Sequence, residues 1–435
     1  MPEVRDALLV VWVALLGATR VDLLAGAGPF LLTPFLLLSP LVLASELLRV
    51  AQQGWEIRLP AGAGSFTVAV SVLLALLVVS AFFSIEPAAS ARRVSLLVVQ
   101  VGFVVAIGYA IALRPDPARI LVRGAVLALG LTVAVNAAQL ALWFQDELWP
   151  RPLSLVISLE PGNYFGVIPR LTGLSHDPNL GGLLTLGYLA LIQILSPPEH
   201  PRSRWVAVGV VMVVLTLSRS AVLAALVYGA LRWGAGRQVR ITPGSVGALG
   251  AMVAAATAAI LLSPGFWDGL VGVAEILGTR LTPDEGSASE HAILFARGIQ
   301  VATESVKQAL VGVGYGAGYV LVQDIFPGNE YGNFHSLFIT FFAEAGTPAL
   351  LVSVAIFVHL LLREGPYRPL IGALVVFNLF QQAHTEPNLW LILLLAWSGV
   401  AVVPASPASA GSPSFSSPSS DAASFSSVSR TRTGR

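Results

Sequence analysis

The sequence predicts an all-α, polytopic membrane protein with about twelve transmembrane helices and one large loop on the non-cytoplasmic side. Three observations predict it. Hydrophobic residues make up 55% of the chain and charged residues only 11%, against about a quarter charged in soluble domains. Uncharged apolar stretches recur, among them Phe66 to Phe83 and Val94 to Leu113, and a spanning helix needs roughly 20 such residues. The basic residues are also shared unevenly between alternate loops.

Taken in order, the expected spans lie near 7–24, 28–48, 66–84, 94–113, 121–144, 172–195, 204–217, 219–233, 244–263, 336–362, 368–383 and 387–404. Arg20 and Asp22 separate the first two. Arg219 divides what is otherwise one apolar run from Trp205 to Trp233. With a cytoplasmic N-terminus, 16 of the 25 basic residues fall inside and 9 outside, as the positive-inside rule requires. An even number of spans then places both termini in the cytoplasm. The first apolar stretch lacks a small-residue cleavage site and is read as a retained helix. Residues 1–404 form the bundle. The Ser- and Pro-rich segment 405–435 reads as a disordered cytoplasmic tail. The chain has no cysteine, which excludes disulfides, thiolate catalysis and Cys-ligated metal.

Two loops on the outer side are long: 145–171 and 264–335. Within the second, Glu290 to Gln308 reads as a helix capped by Ser287 or Ser289. Gly312-Val313-Gly314-Tyr315-Gly316 then breaks it. These glycines are no dinucleotide fingerprint, because no strand and crossover helix surround them. Nothing points to nucleic acid, and no cofactor is expected.

Polar groups near a membrane are costly and are functional candidates by default. Four clusters fall on the outer side. Arg170-Leu-Thr-Gly-Leu-Ser-His176-Asp177-Pro178-Asn179 opens the sixth span. Thr216-Leu217-Ser218-Arg219 forms the turn between spans seven and eight. Phe334-His335-Ser336 opens the tenth span, with Glu344 inside it. Gln381, Gln382, His384 and Glu386 occupy the last outer turn. Arg219, flanked by apolar helices, calls for an anionic partner, and guanidinium forks suit phosphate or carboxylate oxygens. His335 is a candidate proton acceptor. Asp177 and Glu344 are candidates to orient a sugar hydroxyl. Blander readings stand beside these: Arg219 locking helices by pairing with Asp177 or Glu344, His335 hydrogen-bonding a helix start, and 176–179 serving as a helix-entry turn. His359 and His200 read as structural or without a role. The outer histidines and acids lack metal-ligand spacing, so no metal is expected.

The ordered set Arg170-x-x-Gly173 with Asp177-Pro178-Asn179, Leu215-Thr216-Leu217-Ser218-Arg219-Ser220-Ala221, the loop ending in Gly312-Val313-Gly314-Tyr315-Gly316, His335-Ser336 and Glu344-Ala345-Gly346 resembles the O-antigen ligase and O-antigen polymerase superfamily over about 165–350. The resemblance implies a metal-independent, inverting glycosyltransferase of the C-type membrane architecture in the bacterial inner membrane. Such an enzyme takes a glycan from undecaprenyl diphosphate at the periplasmic face. A ligase passes it to lipid A-core, a polymerase to a second lipid-linked unit, and related enzymes to a protein hydroxyl. The family's transmembrane arginine matches Arg219 and its loop-end histidine matches His335. The position of a second arginine, usual early in the loop helix, aligns with His291: either Arg280 or Arg297 substitutes for it, with Arg170 a further candidate beside Arg219 for the diphosphate, or the site uses the histidine, and His291 joins Asp177 and Glu344 as a candidate to orient the acceptor. The position after the histidine is commonly Asn and is Ser336 here. Two other classes remain open: a transporter or flippase, although no internal repeat is evident, and a non-catalytic membrane partner in envelope assembly.

Overall fold

The computed structural model describes residues 2–21, 23, 32–54, 60, 62–145, 162–164, 168–196, 203–234, 286–325 and 333–400. Among these the chain is mostly helical, with α1 (Pro2–Leu15), α2 (Pro34–Gln52), α3 (Ala63–Phe82), α4 (Pro87–Ala112) and α5 (Pro117–Gln145) before a two-stranded hairpin, β1 (Gly162–Tyr164) and β2 (Ile168–Arg170). Then come α6 (Pro178–Leu195), α7 (Ser203–Leu215), α8 (Arg219–Gly234), α9 (Gly286–Thr303), α10 (Val306–Val311), α11 (Gly318–Gln323), α12 (Leu337–Leu362), α13 (Arg368–Phe380) and α14 (Pro387–Ser398). Six of these, α2 to α6 and α12, are long and apolar enough to cross a membrane. The protein is a multi-pass membrane protein built from apolar helices.

Helices overlap the expected spans, although α1 ends at Leu15, short of the expected 24; the ninth span, 244–263, and the tail 405–435 lie outside the described residues. The break at Arg219 is real, for Thr216-Leu217-Ser218 separates α7 from α8. The sixth helix starts at Pro178, not at 172, because proline sits well at a first helical position and the preceding residue favours extended backbone. Pro34, Pro87 and Pro387 open α2, α4 and α14 in the same way. The antiparallel hairpin pairs Gly162 with Arg170, a small departure from an all-helical chain. The loop helix is also split. It runs from Gly286 to Thr303, and Ser305 then caps α10 by accepting from the Gln308 amide at 3.2 Å.

Helix α6 lies at the centre. It packs on α5, α7, α8 and α14, and nearly every one of its residues is buried. A helix apolar all round belongs in such a place. Small residues let its neighbours come close: a Cβ on Gly182 would press on Ala221 of α8, and one on Gly187 on Asn388 of α14. Close approach of this kind is how helices associate where lipid removes the hydrophobic drive between them.

The helix termini gather at two ends. At one end the buried Glu46 accepts from Arg49 at 2.8 Å and Arg114 at 2.5 Å, so a buried charge is paired as it must be. At the other end the segment after α10 is threaded into α12. Gly312, Gly314 and Gly316 have φ of 70°, 109° and 79°, and Gly346 has 81°. A side chain on Gly312 would collide with the Glu344 backbone, and one on Gly346 with the Leu310 carbonyl. Glycine is needed at both places for conformation and for space. Gly346 also breaks the helical backbone of α12.

This interlock predicts the effect of added methyl groups. Gly312→Ala takes on a left-handed alanine, costing roughly 1–2 kcal/mol, and must also displace the Glu344 backbone. Thermal unfolding in detergent should show a midpoint well below wild type. Gly64→Ala, where nothing lies within 4 Å of the new Cβ, should leave the midpoint unchanged or higher. Equal midpoints for the two variants would refute the interlock.

Candidate active site

The second end of the bundle collects all four polar clusters. Leu171 donates its amide to the Leu215 carbonyl at 3.2 Å, and Arg170 Nε donates to the Thr216 carbonyl at 3.3 Å. These bonds join the first cluster to the turn that carries Arg219. Leu337 donates to the Gln381 carbonyl at 3.0 Å, and Ser336 Oγ to the Asn378 carbonyl at 3.2 Å. These join the segment of His335 to the last turn. The Asp177 charge also acts on Glu386, so the first and fourth clusters are neighbours.

Arg219, His291 and His335 come together at the centre of this end. Arg219 is the exposed first residue of α8. His291 lies in the second turn of α9, partly buried, with its ring centroid 4.1 Å from that of His335. Burial, then the adjacent His335, then the Arg219 charge push the His291 imidazole down from 6.5 to about 4. His291 is therefore neutral at pH 7, in part because a cation lies beside it. Arg297 is further along α9, with its Nε buried and lacking a hydrogen-bond partner among the described residues. Arg280 lies outside the described residues.

Two backbone positions set this group. Among the described residues, Leu217 and His335 are the non-glycine residues with positive φ, each at 50°. Such a conformation is uncommon and, for a bulky leucine, strained. Strain of this sort persists only where the surroundings enforce it, and it concentrates at functional sites. Here one strained residue lies two positions before Arg219, and the other is His335 itself. Leu217 donates to the Val214 carbonyl at 2.9 Å. The His335 amide donates to Asn333 Oδ1 at 2.8 Å. The sequence signalled the turn at 216–219 but not the left-handed backbone at Leu217 or at His335.

The remaining candidates have structural work. Asp177 caps α6, its Oδ1 accepting from the Asn179 and Leu180 amides at 2.7 and 3.0 Å. A side-chain oxygen at this position satisfies amides that the helix leaves open. Glu344 is buried in α12, with Oε2 accepting from the Gly316 amide at 2.7 Å and Oε1 from Gly318 at 3.0 Å. Both carboxylates thus accept from backbone amides. Arg170 braces the Arg219 turn and also reaches Asn179 Oδ1 at 3.3 Å. His176 shares a 3.0 Å hydrogen bond with the Thr19 hydroxyl.

Sequence reading missed Arg93 and Ser80. Arg93, at the start of α4, donates to the Gly316 carbonyl and lies 4.9 Å over the Tyr319 ring, a cation–π distance. Ser80 Oγ accepts from the Tyr315 amide at 3.0 Å. Neither stood out in sequence, since serine in an apolar helix and arginine at a helix start are both ordinary. Among the described residues no group of three or more His, Cys, Asp or Glu could hold a metal ion.

The arrangement can bind an anion and take up a proton with it. An anion beside Arg219 favours the imidazolium form of His291, so the His291 pKa must rise on binding from its free value of about 4. The sign follows: affinity for inorganic pyrophosphate should increase as pH falls from neutral towards that value. Calorimetry across this range checks it, and His291→Ala should flatten the trend. A pH trend identical in wild type and His291→Ala would rule out His291 as part of an anion site. Compared with known proteins, the chain matches no protein-family model and no curated protein.

Proposed function

We propose that the protein is a glycosyltransferase of the bacterial inner membrane that moves a glycan from undecaprenyl diphosphate to a hydroxyl acceptor at the periplasmic face. Both termini are then cytoplasmic, and the acceptor is lipid A-core or, in a polymerase, a second lipid-linked glycan. The observation that carries this reading is the meeting of Arg219, His291 and His335. They come from three separate elements, with one strained residue at His335 and another beside Arg219.

The chemistry proceeds as one displacement. The donor's polyprenyl tail stays among apolar helices, and its diphosphate lies against Arg219. The acceptor hydroxyl attacks the anomeric carbon. A new C–O bond forms as the bond between that carbon and the phosphate oxygen breaks. The hydroxyl proton passes to His335, and the electron pair leaves with undecaprenyl diphosphate. Positive charge placed where the leaving group gains negative charge lowers the barrier. His291 protonates against the diphosphate, and Arg297 adds charge from the same helix. Arg170 acts through the turn it braces. No step calls for a metal.

The test is release of undecaprenyl diphosphate from a purified lipid-linked glycan in liposomes, with chelator present. Lipid A-core and excess donor are the alternative acceptors. Arg219→Ala should lower turnover by about 10²–10³-fold, the size expected for removing one preorganised charge contact. His335→Ala should lower it by about 10²–10⁴-fold, the range for a lost general base. Both proteins should keep their membrane insertion and unfolding midpoint. A single acceptor-bound product means ligation, and a ladder of longer lipid-linked chains means polymerisation. Wild-type turnover in Arg219→Ala would sink the proposal.

A further inference from the structure

Helix α9 carries the candidate site on one flank and an unusual surface on the other. With 3.6 residues per turn, Leu294, Gly298, Val301 and Ala302 form its buried side. Gly298 marks the closest approach, since a Cβ there would collide with Ile339 of α12. The opposite side shows Ala292, Ile293, Phe295, Ala296, Ile299 and Gln300. Ile293, Phe295 and Ile299 are 46%, 41% and 40% exposed. This face carries no charged residue over about two turns. A helix facing water normally presents charged and polar groups on that side.

The apolar face continues onto α10, where Val306 and Leu310 are 77% and 57% exposed. From there it joins surfaces that the spanning helices present. Gly346 of α12 lies against the backbone of Leu310 and Val311, and Leu351 one turn further along α12 is strongly exposed. Helix α10 also touches α3, whose last residue, Phe82, is strongly exposed. Between the two apolar faces, polar and charged residues gather at the connecting turn. There Gln308 Nε2 donates to Glu304 Oε2 at 2.9 Å and Ser305 Oγ donates to Gln308 Oε1 at 2.6 Å. Lys307, the only lysine in the chain, is exposed beside them. A lysine there can rest its stem on apolar surface with its ammonium among headgroups.

We infer that α9 and α10 are an interfacial helix pair embedded in one leaflet, with the Ile293–Ile299 and Val306–Leu310 faces against phospholipid acyl chains. Their depth follows from α12. Leu310 meets Gly346, nine residues beyond the start of α12 at Leu337, which is about 13 Å along a helix. Ser80, in the last turn of α3, bonds the Glu344 carbonyl at the same level. The pair therefore lies at the boundary where α3 leaves the apolar layer. His291 and Arg297 flank the buried side of α9 and so share the height of the pair. The inference rests on exposure and continuity with the spanning helices, and it holds whether or not the protein transfers glycans.

The absence of cysteine allows a direct test on the full chain. Nitroxide labels at Ile293→Cys, Ile299→Cys and Leu310→Cys would be compared with Glu304→Cys and Leu351→Cys in liposomes of phosphatidylethanolamine and phosphatidylglycerol. Power saturation with oxygen and with a water-soluble nickel chelate reads the depth of each label. The three test positions should show an oxygen-to-nickel accessibility ratio several-fold above Glu304→Cys and near that of Leu351→Cys. A ratio equal to that of Glu304→Cys places the face in water and overturns the inference. Immobile labels reached by neither reagent would mean that protein covers the face, and would overturn it equally. Ile293 and Leu310 are on separate helices, so misfolding of one variant leaves the other as a readout.

Discussion

The arrangement of this end of the molecule depends on one buried carboxylate. Glu344 lies in α12 with both oxygens bonded to backbone amides, those of Gly316 and Gly318. A buried charge without such partners would cost several kcal/mol. The two amides hold the segment after α10 in its groove, and three left-handed glycines let the backbone lie against α12 and α4. With that segment fixed, α10 is held, and α9 is placed along the first turns of α12. His291 comes to rest beside His335 as a consequence. The catalytic proposal thus depends on a residue that has no part in its chemistry.

The two ends of the bundle stabilise polar groups by different means. At one end Glu46 is neutralised by Arg49 and Arg114. At the other, Asp177 and Glu344 are satisfied by helix-cap and loop amides. The difference matters for the cations. A carboxylate already hydrogen-bonded to two amides is a weak competitor for a guanidinium, because moving it would leave both amides open in a buried place.

Much of the architecture was legible in the sequence because lipid imposes a simple rule. Backbone groups in hydrocarbon must bond internally, so long uncharged stretches become helices, and Arg219 or a Pro-containing turn ends them. The convergence of the polar clusters followed from alternating helix direction alone. What stayed hidden was long-range. That Glu344 would meet Gly316 and Gly318 depends on a chain reversal through α11, and no local pattern encodes it. Asp177 read as either a ligand group or a cap, since Asp-Pro-Asn suits both, and only the distance to the Asn179 and Leu180 amides decides. The left-handed turns at Leu217 and His335 were illegible for a different reason. Their conformation is imposed by neighbours, not preferred by the residues.

Under the proposed reaction, a histidine at position 291 has a physical advantage over a second arginine. Two guanidiniums side by side in a partly buried site repel whenever the site is empty, by about 4 kcal/mol at 4 Å and an effective dielectric of 20. An imidazole pushed down to about 4 beside Arg219 and His335 removes that repulsion by staying neutral. It can gain its proton when a diphosphate arrives and supplies the compensating charge. The site then carries its full positive charge only with substrate present. Partial burial of His291 favours the same behaviour, because low local polarity penalises the imidazolium in the empty site and strengthens its attraction to the anion once that is bound.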